Sequence, residues 1–192
     1  MSIERAVAAI RRGEVVGLPT DTVYGIGADP MNEQAVARLF ELKGRPGHRP
    51  IGLLVASLEQ AQVIGEIHGA AADLAAVHWP GALTLVVTPK VILTNWVGDA
   101  QRQTVGLRVP DHPVALELLA AVGPLAVTSA NRSGGSESLS HQDARAVFGD
   151  RVAVYVEGRS PGGESSTVVD VTGGEIVVLR QGPVHVSLPS GS

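Results

Sequence analysis

Residues 18–27 read LPTDTVYGIG, and this segment is chemically the richest part of the chain. The apolar run before it is typical of a buried strand, which then ends in a proline, two threonines, an acid and two glycines. If the backbone stays extended, Thr20 and Thr22 present two hydroxyls on one face, because side chains two residues apart point the same way. Gly25 and Gly27 would let another group approach the backbone. A plain strand-to-loop turn capped by hydroxyls explains the segment equally well.

Length, composition and charge limit the classes of protein to consider. The 192 residues fit one domain with an aliphatic core, since there are only two each of Phe, Tyr and Trp. So few aromatic rings supply little surface for stacking on a nucleic-acid strand. The formal net charge of −4 argues against wholesale binding of a polyanion, but it leaves room for a local basic cleft.

Several kinds of site are excluded or disfavoured by what the sequence lacks. The chain has no cysteine, which excludes disulfides, thiolate nucleophiles and cysteine-ligated zinc. Its six histidines show no ligand spacing, so we expect no metal site built by the protein. There is no P-loop and no complete dinucleotide fingerprint, and Ser129 does not lie in a G-x-S-x-G motif. No apolar run approaches the ~20 residues of a membrane span and no signal sequence is evident, so we expect a soluble, cytoplasmic protein.

The order of the predicted elements indicates an α/β fold. Helices alternate with strands through most of the chain, and strands crowd together after Phe148. We therefore expect a mixed sheet, open on one side and flanked by helices. The predicted helix caps are Ser2, Asn32, Ser57 and Ser140. The folded domain is expected over residues 1–183, and residues 184–192 read as a short polar tail.

Two sets of polar side chains are predicted to face one cleft. Hydroxyl and amide groups follow strands and cations lie in loops, the sets being Thr20, Thr22, Thr104, Ser129 and Asn131, and Lys43, Arg45, Arg49, Arg108 and Arg180. In open α/β sheets ligands bind beyond the carboxyl ends of strands, so the two sets would meet there. Such a cleft suits an anionic, polar ligand such as a triphosphate. Taken singly, each of these residues is better explained as a solvated charge or a turn cap.

Five motifs carry a resemblance to a known family. In chain order they read PTDTVYGIG (19–27), KGRP (43–46), GLRVPDHP (106–113), SANRSG (129–134) and STVVD (166–170). Together, in this order, they resemble the YrdC-type threonylcarbamoyl-AMP synthases. The K-x-R and S-x-N signatures of that family correspond to Lys43/Arg45 and Ser129/Asn131. The resemblance spans about residues 3–183 and is to the short form of the family, without the extra C-terminal domain of longer members.

The resemblance implies both an activity and a fold. Members of the family condense L-threonine, bicarbonate and ATP into threonylcarbamoyl-adenylate and pyrophosphate, with Mg²⁺ arriving on the nucleotide. Downstream tRNA threonylcarbamoyl transferase proteins then pass the group to an adenosine of tRNA, which leaves room for a direct tRNA contact. The implied fold is a twisted, open α/β sheet with a positively charged concave cleft.

The same resemblance assigns residues to the two larger substrates. Threonine would be held by Thr22, Arg108 and Ser129. ATP would be contacted by Lys43, Arg45, Arg49, Thr104, Asn131, Ser138 and Arg180, with Lys43 and Arg45 as the catalytic residues beside the phosphates. This agrees with the chemistry of the side chains, because Arg pairs with carboxylates and phosphates through two parallel hydrogen bonds. Catalysis would then depend on alignment and charge neutralisation, with no general base evident.

Three positions depart from the family pattern. Ala82 stands where a second proline is usual, Arg49 stands where Asn or Lys is common, and Leu54 stands where some members have a threonine-contacting histidine. We therefore expect the threonine pocket to differ in detail from that of other members.

Two alternatives belong to other functional classes. The same fold is known as a double-stranded RNA or tRNA-binding module without adenylation activity, and a carbamoyl-adenylate-forming relative acts in hydrogenase maturation. The sparse aromatic residues, the negative net charge and the intact signatures favour the synthase over the RNA module. The absence of cysteine-rich zinc-finger segments disfavours the maturation factor.

Overall fold

The computed structural model describes residues 2–44, 50–94, 97–173 and 175–186. Within these ranges six α-helices, one 3₁₀ helix and nine strands follow one another along the chain. Their bounds are α1 Ser2–Arg11, β1 Val16–Leu18, β2 Gly25–Ala28, α2 Glu33–Lys43, β3 Gly52–Leu54, α3 Leu58–Ile64, α4 Ala70–His78, β4 Leu83–Val87, β5 Val105–Arg108, α5 Pro113–Val122, β6 Leu125–Ser129, α6 His141–Phe148, the 3₁₀ helix Gly149–Arg151, β7 Val154–Tyr155, β8 Thr167–Asp170 and β9 Val177–Arg180.

The described strands form one mixed sheet in the order β7-β1-β2-β6-β3-β5-β4-β8-β9. The pairs β1/β7, β3/β5 and β4/β8 are parallel, and the other neighbours are antiparallel. The edge strands β7 and β9 do not pair with each other, so the sheet is open. The predicted α/β class with an open mixed sheet is confirmed.

Helices cover both faces of the sheet. Leu53 and Leu54 are neighbours on β3, yet Leu53 packs in a core cluster with α2 and α4, whereas Leu54 packs with α1 and α5. Because successive side chains of a strand point to opposite faces, the two clusters lie on opposite sides of the sheet. The sheet is therefore buried between two helical layers, and its core is aliphatic as the composition predicts.

Three of the four predicted helix caps are confirmed. The side chains of Asn32, Ser57 and Ser140 accept hydrogen bonds from the backbone N–H groups three residues further on, at 3.0, 3.3 and 3.2 Å. These bonds satisfy N–H groups that have no partner inside the helix. The prediction for Ser2 is wrong, because Ser2 is already the first residue of α1 and its hydroxyl accepts the N–H of Glu157 at 3.3 Å.

The segment after β1 differs from the simplest prediction in two ways. Residues 21–23 form a bend rather than an extended strand, and residues 25–28, expected as a loop, form β2. A Cβ atom on Gly25 or Gly27 would lie 2.8 or 2.9 Å from the side chain of Val127 on β6. The glycines therefore make room for the neighbouring strand β6. Because two of the four residues of β2 are glycines, the segment lacks the alternating side chains by which a strand is recognised in a sequence.

The described C-terminal residues stay attached to the sheet. Val184 and Val186, which we expected in the polar tail, pack against the larger core cluster. The N–H of Val184 donates to the hydroxyl of Thr167 at 3.0 Å, and that hydroxyl donates to the carbonyl of Val184 at 2.8 Å. Residues 187–192 of the expected tail lie outside the described ranges. None of the described helices combines the length and apolar character needed to cross a membrane.

Candidate active site

A cleft of about 420 Å³ lies where several strands of the sheet end. Its lining comes from the bend after β1, the end of α2, residues 165 and 166, and the strands β2, β3, β4, β5, β6, β8 and β9. Seven residues predicted to face the cleft line it together: Thr20, Thr22, Lys43, Arg108, Ser129, Asn131 and Arg180. The structure thus gathers into one cavity side chains that are up to 160 positions apart in the sequence (180 − 20).

Strand pairing explains why these distant residues meet. β2 runs antiparallel to β6 with Gly25 opposite Ser129, so the bend before β2 lies beside the end of β6. β3 runs parallel to β5 with Leu54 opposite Arg108, so these two strands end at the same edge. The position of a side chain at a strand end is fixed by this register, because shifting it by one residue would turn every side chain to the other face.

Arg108 is held rigidly at the inner end of the cleft. Its side chain is 7% exposed, and its guanidinium donates to the carbonyl of Gly81 at 2.9 Å, to the hydroxyl of Thr22 at 3.1 Å and to the carboxylate of Asp21 at 2.5 Å. Burial lowers the pKa of Arg108, whereas the charge and hydrogen bond of Asp21 raise it. The three bonds fix the orientation of the planar group, which is the condition for pairing with a carboxylate.

Asp21 is a partner of Arg108 that sequence reasoning did not assign. Its side chain is only 13% exposed and forms an ion pair with Arg108. A buried guanidinium without a counter-charge would be costly, so Asp21 stabilises the charged state of Arg108. The only sequence signal was an acid placed between two threonines in an otherwise uncharged segment.

The K-x-R and S-x-N signatures meet through Lys43. Its side-chain nitrogen donates to the carbonyl of Ser129 at 2.8 Å, to the hydroxyl of Ser129 at 3.2 Å and to the amide oxygen of Asn131 at 2.6 Å. Ser129 also donates to that amide oxygen at 2.7 Å, and the amide nitrogen of Asn131 donates to Gly135 at 2.7 Å. With both ends of the amide held, the orientation of Asn131 is determined.

The opposite wall of the cleft is built around Arg180. Its guanidinium donates to the carbonyl of Ser166 at 3.0 and 2.8 Å and to the hydroxyl of Ser166 at 3.2 Å. Burial lowers the pKa of Arg180, and the nearby charge of Glu137 raises it. Glu137 accepts a hydrogen bond from Ser165 at 2.8 Å, and the hydroxyls of Thr84 and Ser166 lie 2.8 Å apart. The lining role of Thr84, Glu137 and Ser165 was not predicted, and only Ser166 lay in a motif.

Two of the predicted ATP-binding residues that the structure describes, Thr104 and Ser138, are not brought to this lining. Thr104 lines a second cavity of about 450 Å³ formed mainly by residues 88–94, and its backbone pairs with that of Asp99 at 2.7 and 3.1 Å. The hydroxyl of Ser138 donates to the carbonyl of Ala130 instead of lining the cleft. Arg45 and Arg49 lie outside the described residues. Their contacts with ATP stay predictions.

Of the positions that depart from the family pattern, Leu54 lines the cleft and Ala82 does not. Leu54 lines the cleft and is buried, so an apolar side chain stands close to Arg108 where a histidine would be polar. Ala82 contributes its carbonyl to the N–H of Thr167 at 2.9 Å and does not line the cleft.

The chemistry of the lining suits an anionic ligand with hydrogen-bonding groups. Lys43, Arg108 and Arg180 supply cations, and the hydroxyls and the amide supply neutral donors and acceptors. Among the described residues, no group of three or more His, Asp or Glu side chains is arranged to hold a metal ion.

The chain is similar to proteins of one family over most of its length. Residues 8–182 match the family model Sua5_yciO_yrdC, whose description reads "Telomere recombination". A relative from Mycobacterium tuberculosis is 48% identical over 184 residues, which cover 95% of this chain and 84% of the relative. The threonylcarbamoyl-AMP synthase of Vibrio cholerae is 38% identical over 186 residues, which cover 94% of this chain and 97% of that enzyme.

A solved structure agrees in fold as well as in sequence. The crystal structure of Pyrococcus abyssi Sua5 complexed with L-threonine superposes with a TM-score of 0.85 at 37% identity, over 93% of this chain. The alignment covers 53% of that protein, so this chain spans about half the length of Sua5. From the family match over residues 8–182 and these identities, the chain belongs to the Sua5/YciO/YrdC family.

Proposed function

We propose that the chain is an L-threonylcarbamoyladenylate synthase, which condenses L-threonine, bicarbonate and ATP to threonylcarbamoyl-AMP and pyrophosphate. The observation that carries this proposal is the convergence of Arg108, Lys43 and Arg180 with Thr22, Ser129 and Asn131 in one cleft. The relatives named threonylcarbamoyl-AMP synthase and the L-threonine bound to Pyrococcus abyssi Sua5 support it. The product would be consumed by tRNA threonylcarbamoyl transferase proteins that modify an adenosine of tRNA.

The amino acid is placed at the inner end of the cleft. Arg108 is oriented by Asp21 and Thr22, and its guanidinium would pair with the carboxylate of L-threonine. Thr22 and Ser129 would bind the amine or the side-chain hydroxyl. A site that pairs with the substrate hydroxyl leaves buried polar groups unpaired when valine binds, so valine is rejected.

The nucleotide is placed between Lys43 and the opposite wall. Lys43 and Asn131 form one hydrogen-bonded unit, and Arg180 approaches from the other side. Arg45 and Arg49 would add contacts to ATP. Mg²⁺ would enter bound to the phosphates, in keeping with a lining that offers few carboxylates.

The chemistry follows from this placement. The amine of threonine and bicarbonate form a carbamate with loss of water, and a carbamate oxygen attacks the α-phosphorus of ATP. The new oxygen–phosphorus bond replaces the bond to pyrophosphate, which leaves with its electron pair. Lys43 and Arg45 would neutralise charge developing on the phosphates, and the fixed guanidinium of Arg108 would keep the carbamate in line. Most of the rate enhancement is then alignment and electrostatic stabilisation, without a general base.

Pyrophosphate release tests the proposal directly. With ATP, Mg²⁺ and bicarbonate present, we expect L-threonine to stimulate release strongly and L-valine to stimulate it far less. Absence of stimulation by any amino acid, together with salt-dependent binding of tRNA or double-stranded RNA, would refute the synthase and identify the RNA-binding module instead.

A further inference from the structure

Thr20 lines the cleft beside Thr22, yet the substrate contacts proposed above do not use it. Both threonines are buried, and their hydroxyl oxygens lie 3.0 Å apart. The backbone N–H of Thr20 donates to the hydroxyl of Ser160 at 3.0 Å, and Ser160 is fully buried. Thr20 is therefore fixed in place without any ligand.

The hydrogen-bonding capacity of the Thr20 hydroxyl is used entirely inside the protein. A threonine hydroxyl has one proton and two lone pairs. The proton goes to the carbonyl of Val23 at 2.8 Å, because a carbonyl can only accept. One lone pair accepts the N–H of Thr22 at 3.2 Å. The remaining contact, between the two hydroxyls, must then be one in which Thr22 donates.

The hydroxyl of Thr22 is consequently oriented in one direction. Its proton is held by Thr20, and one of its lone pairs accepts an N–H from Arg108 at 3.1 Å. One lone pair remains, and Thr22 lines the cleft. Toward the cleft, this hydroxyl accepts a hydrogen bond and has no proton to donate.

The position of Arg108 indicates which substrate atom meets this acceptor. The α-nitrogen of an amino acid is one carbon away from its carboxylate. The guanidinium of Arg108 contacts the hydroxyl of Thr22. If the substrate carboxylate binds to this guanidinium, the α-nitrogen of the substrate lies close to the Thr22 hydroxyl. Both an ammonium and a carbamate nitrogen carry an N–H, which an acceptor matches. A 2-oxo group presents lone pairs there, which an acceptor repels.

We infer that Thr20 is a positioning residue for substrate specificity, which holds the Thr22 hydroxyl as an acceptor for the α-nitrogen of the amino-acid substrate. Thr20 acts without touching the substrate. The inference rests on the proposed function, and it adds the selection of a 2-amino acid over its 2-oxo analogue. Removing the Thr20 hydroxyl releases the Thr22 proton, which can then point into the cleft.

The test compares Thr20→Val with Thr20→Ser, because valine fills the same volume without a hydroxyl and serine keeps the hydroxyl. Calorimetry on the full chain gives the dissociation constant of L-threonine, and competition gives that of 2-oxobutanoate. We expect Thr20→Val to weaken L-threonine binding about tenfold, the size of one lost hydrogen bond to a charged group, and Thr20→Ser to stay within about threefold. Binding of 2-oxobutanoate should not weaken in Thr20→Val, and the KM for ATP should not change.

Each outcome decides for or against the inference. Equal weakening of both ligands in Thr20→Val, or unchanged binding of L-threonine, would overturn it, since a general distortion does not distinguish an amine from a carbonyl. If Thr20→Val does not fold, Thr20→Ala removes the same hydroxyl without adding a methyl group in its place, and the same ratios apply. A wild-type protein without threonine-dependent pyrophosphate release would refute the proposed function. An active wild type with an unaltered Thr20→Val would refute this inference alone.

Discussion

The two walls of the cleft hold their cations in different ways. The buried wall consists of Thr20, Asp21, Thr22, Lys43, Arg108, Ser129 and Asn131, and the open wall consists of Thr84, Glu137, Ser165, Ser166 and Arg180. On the buried wall, Lys43 is 3% exposed and Arg108 is bound by a carboxylate, a hydroxyl and a carbonyl. On the open wall, Arg180 is exposed and bonds only to Ser166 among the described residues.

This difference indicates that the buried wall is preorganised for ligand binding and that the open wall is less so. A side chain that is already oriented loses little entropy when a ligand binds, and an exposed arginine held by one residue is less constrained than a buried arginine held by three. We therefore expect the buried wall to bind a small, rigid substrate such as an amino acid without adjustment. The open wall suits the phosphates of a nucleotide, since the exposed guanidinium of Arg180 can exchange its bonds to Ser166 for bonds to phosphate oxygens.

The largest expected effect comes from Arg108→Ala. This substitution removes the proposed carboxylate partner of threonine and leaves Asp21 buried without its ion pair. We expect kcat/KM for threonine to fall at least about hundredfold and the free energy of unfolding to fall by about 3 kcal/mol. Steady-state pyrophosphate release and urea denaturation measure the two. Arg108→Lys is the control, since it keeps the charge but not the two-pronged geometry; a normal KM for threonine in Arg108→Ala would show that the buried wall does not bind the amino acid.

A second effect separates the two substrates within the buried wall. Asn131 receives the short bond from Lys43, whereas Ser129 lies next to β2 and the Thr22 bend. We expect Asn131→Ala to raise the KM for ATP about tenfold, and Ser129→Ala to raise the KM for threonine about fivefold, each equivalent to about one hydrogen bond. Varying each substrate at saturation of the other measures both constants. An equal change of the same constant in both variants would contradict the division.

A smaller effect is expected on the open wall. Arg180→Ala removes an exposed cation whose partners are a backbone carbonyl and a hydroxyl, so no buried charge is left behind. We expect the KM for ATP to rise about threefold, with the KM for threonine and the urea midpoint unchanged. Rising salt concentration should reduce the difference between the variant and the wild type. A loss of threonine binding as large as in Arg108→Ala would remove the distinction between the walls.

The smallest effect concerns Asp170, the last residue of β8, a strand that follows the open-wall residues Ser165 and Ser166. Asp170 accepts hydrogen bonds from Thr172 and Arg102; burial raises the pKa of its carboxyl, but these bonds outweigh burial and lower it. A carboxyl with a lowered pKa stabilises the fold above its unfolded value of about 3.9, and this contribution is lost as the pH falls through the folded value. Since the side chain of Arg102 is 54% exposed, we expect Asp170→Asn to cost less than about 1 kcal/mol at neutral pH. Thermal unfolding measured from neutral pH into acid should show the difference between the variant and the wild type shrink as the pH falls below about 3.9; a constant difference would assign it to packing.

Local patterns predicted most of the fold but not the contacts that make the site. Asn32, Ser57 and Ser140 were recognised as caps because a cap acts on the N–H three residues further on. β2 was missed because Gly25 and Gly27 suppress the strand pattern, and the reason for them is Val127, about 100 residues away (127 − 25 and 127 − 27).

The candidate site shows the same limit. The grouping of Lys43, Arg108, Ser129 and Asn131 could be predicted because the motifs are local and strand ends converge. The partner of Arg108 could not, since Asp21 and Arg108 are brought together only by the register of β2, β6, β3 and β5. Sequence reasoning expected Thr20 and Thr22 to align through an extended strand, whereas a bend brings their hydroxyls together.

The most direct test of the central claim follows the carbon of bicarbonate into the product. The wild-type protein is incubated with ATP, Mg²⁺, L-threonine and bicarbonate labelled with heavy carbon, and the products are resolved by mass spectrometry. We predict a threonylcarbamoyl-adenylate that carries the label, formed together with an equal amount of pyrophosphate and absent when any one of ATP, threonine or bicarbonate is omitted. Release of pyrophosphate without a labelled adenylate, or an adenylate that forms without threonine, would contradict the account.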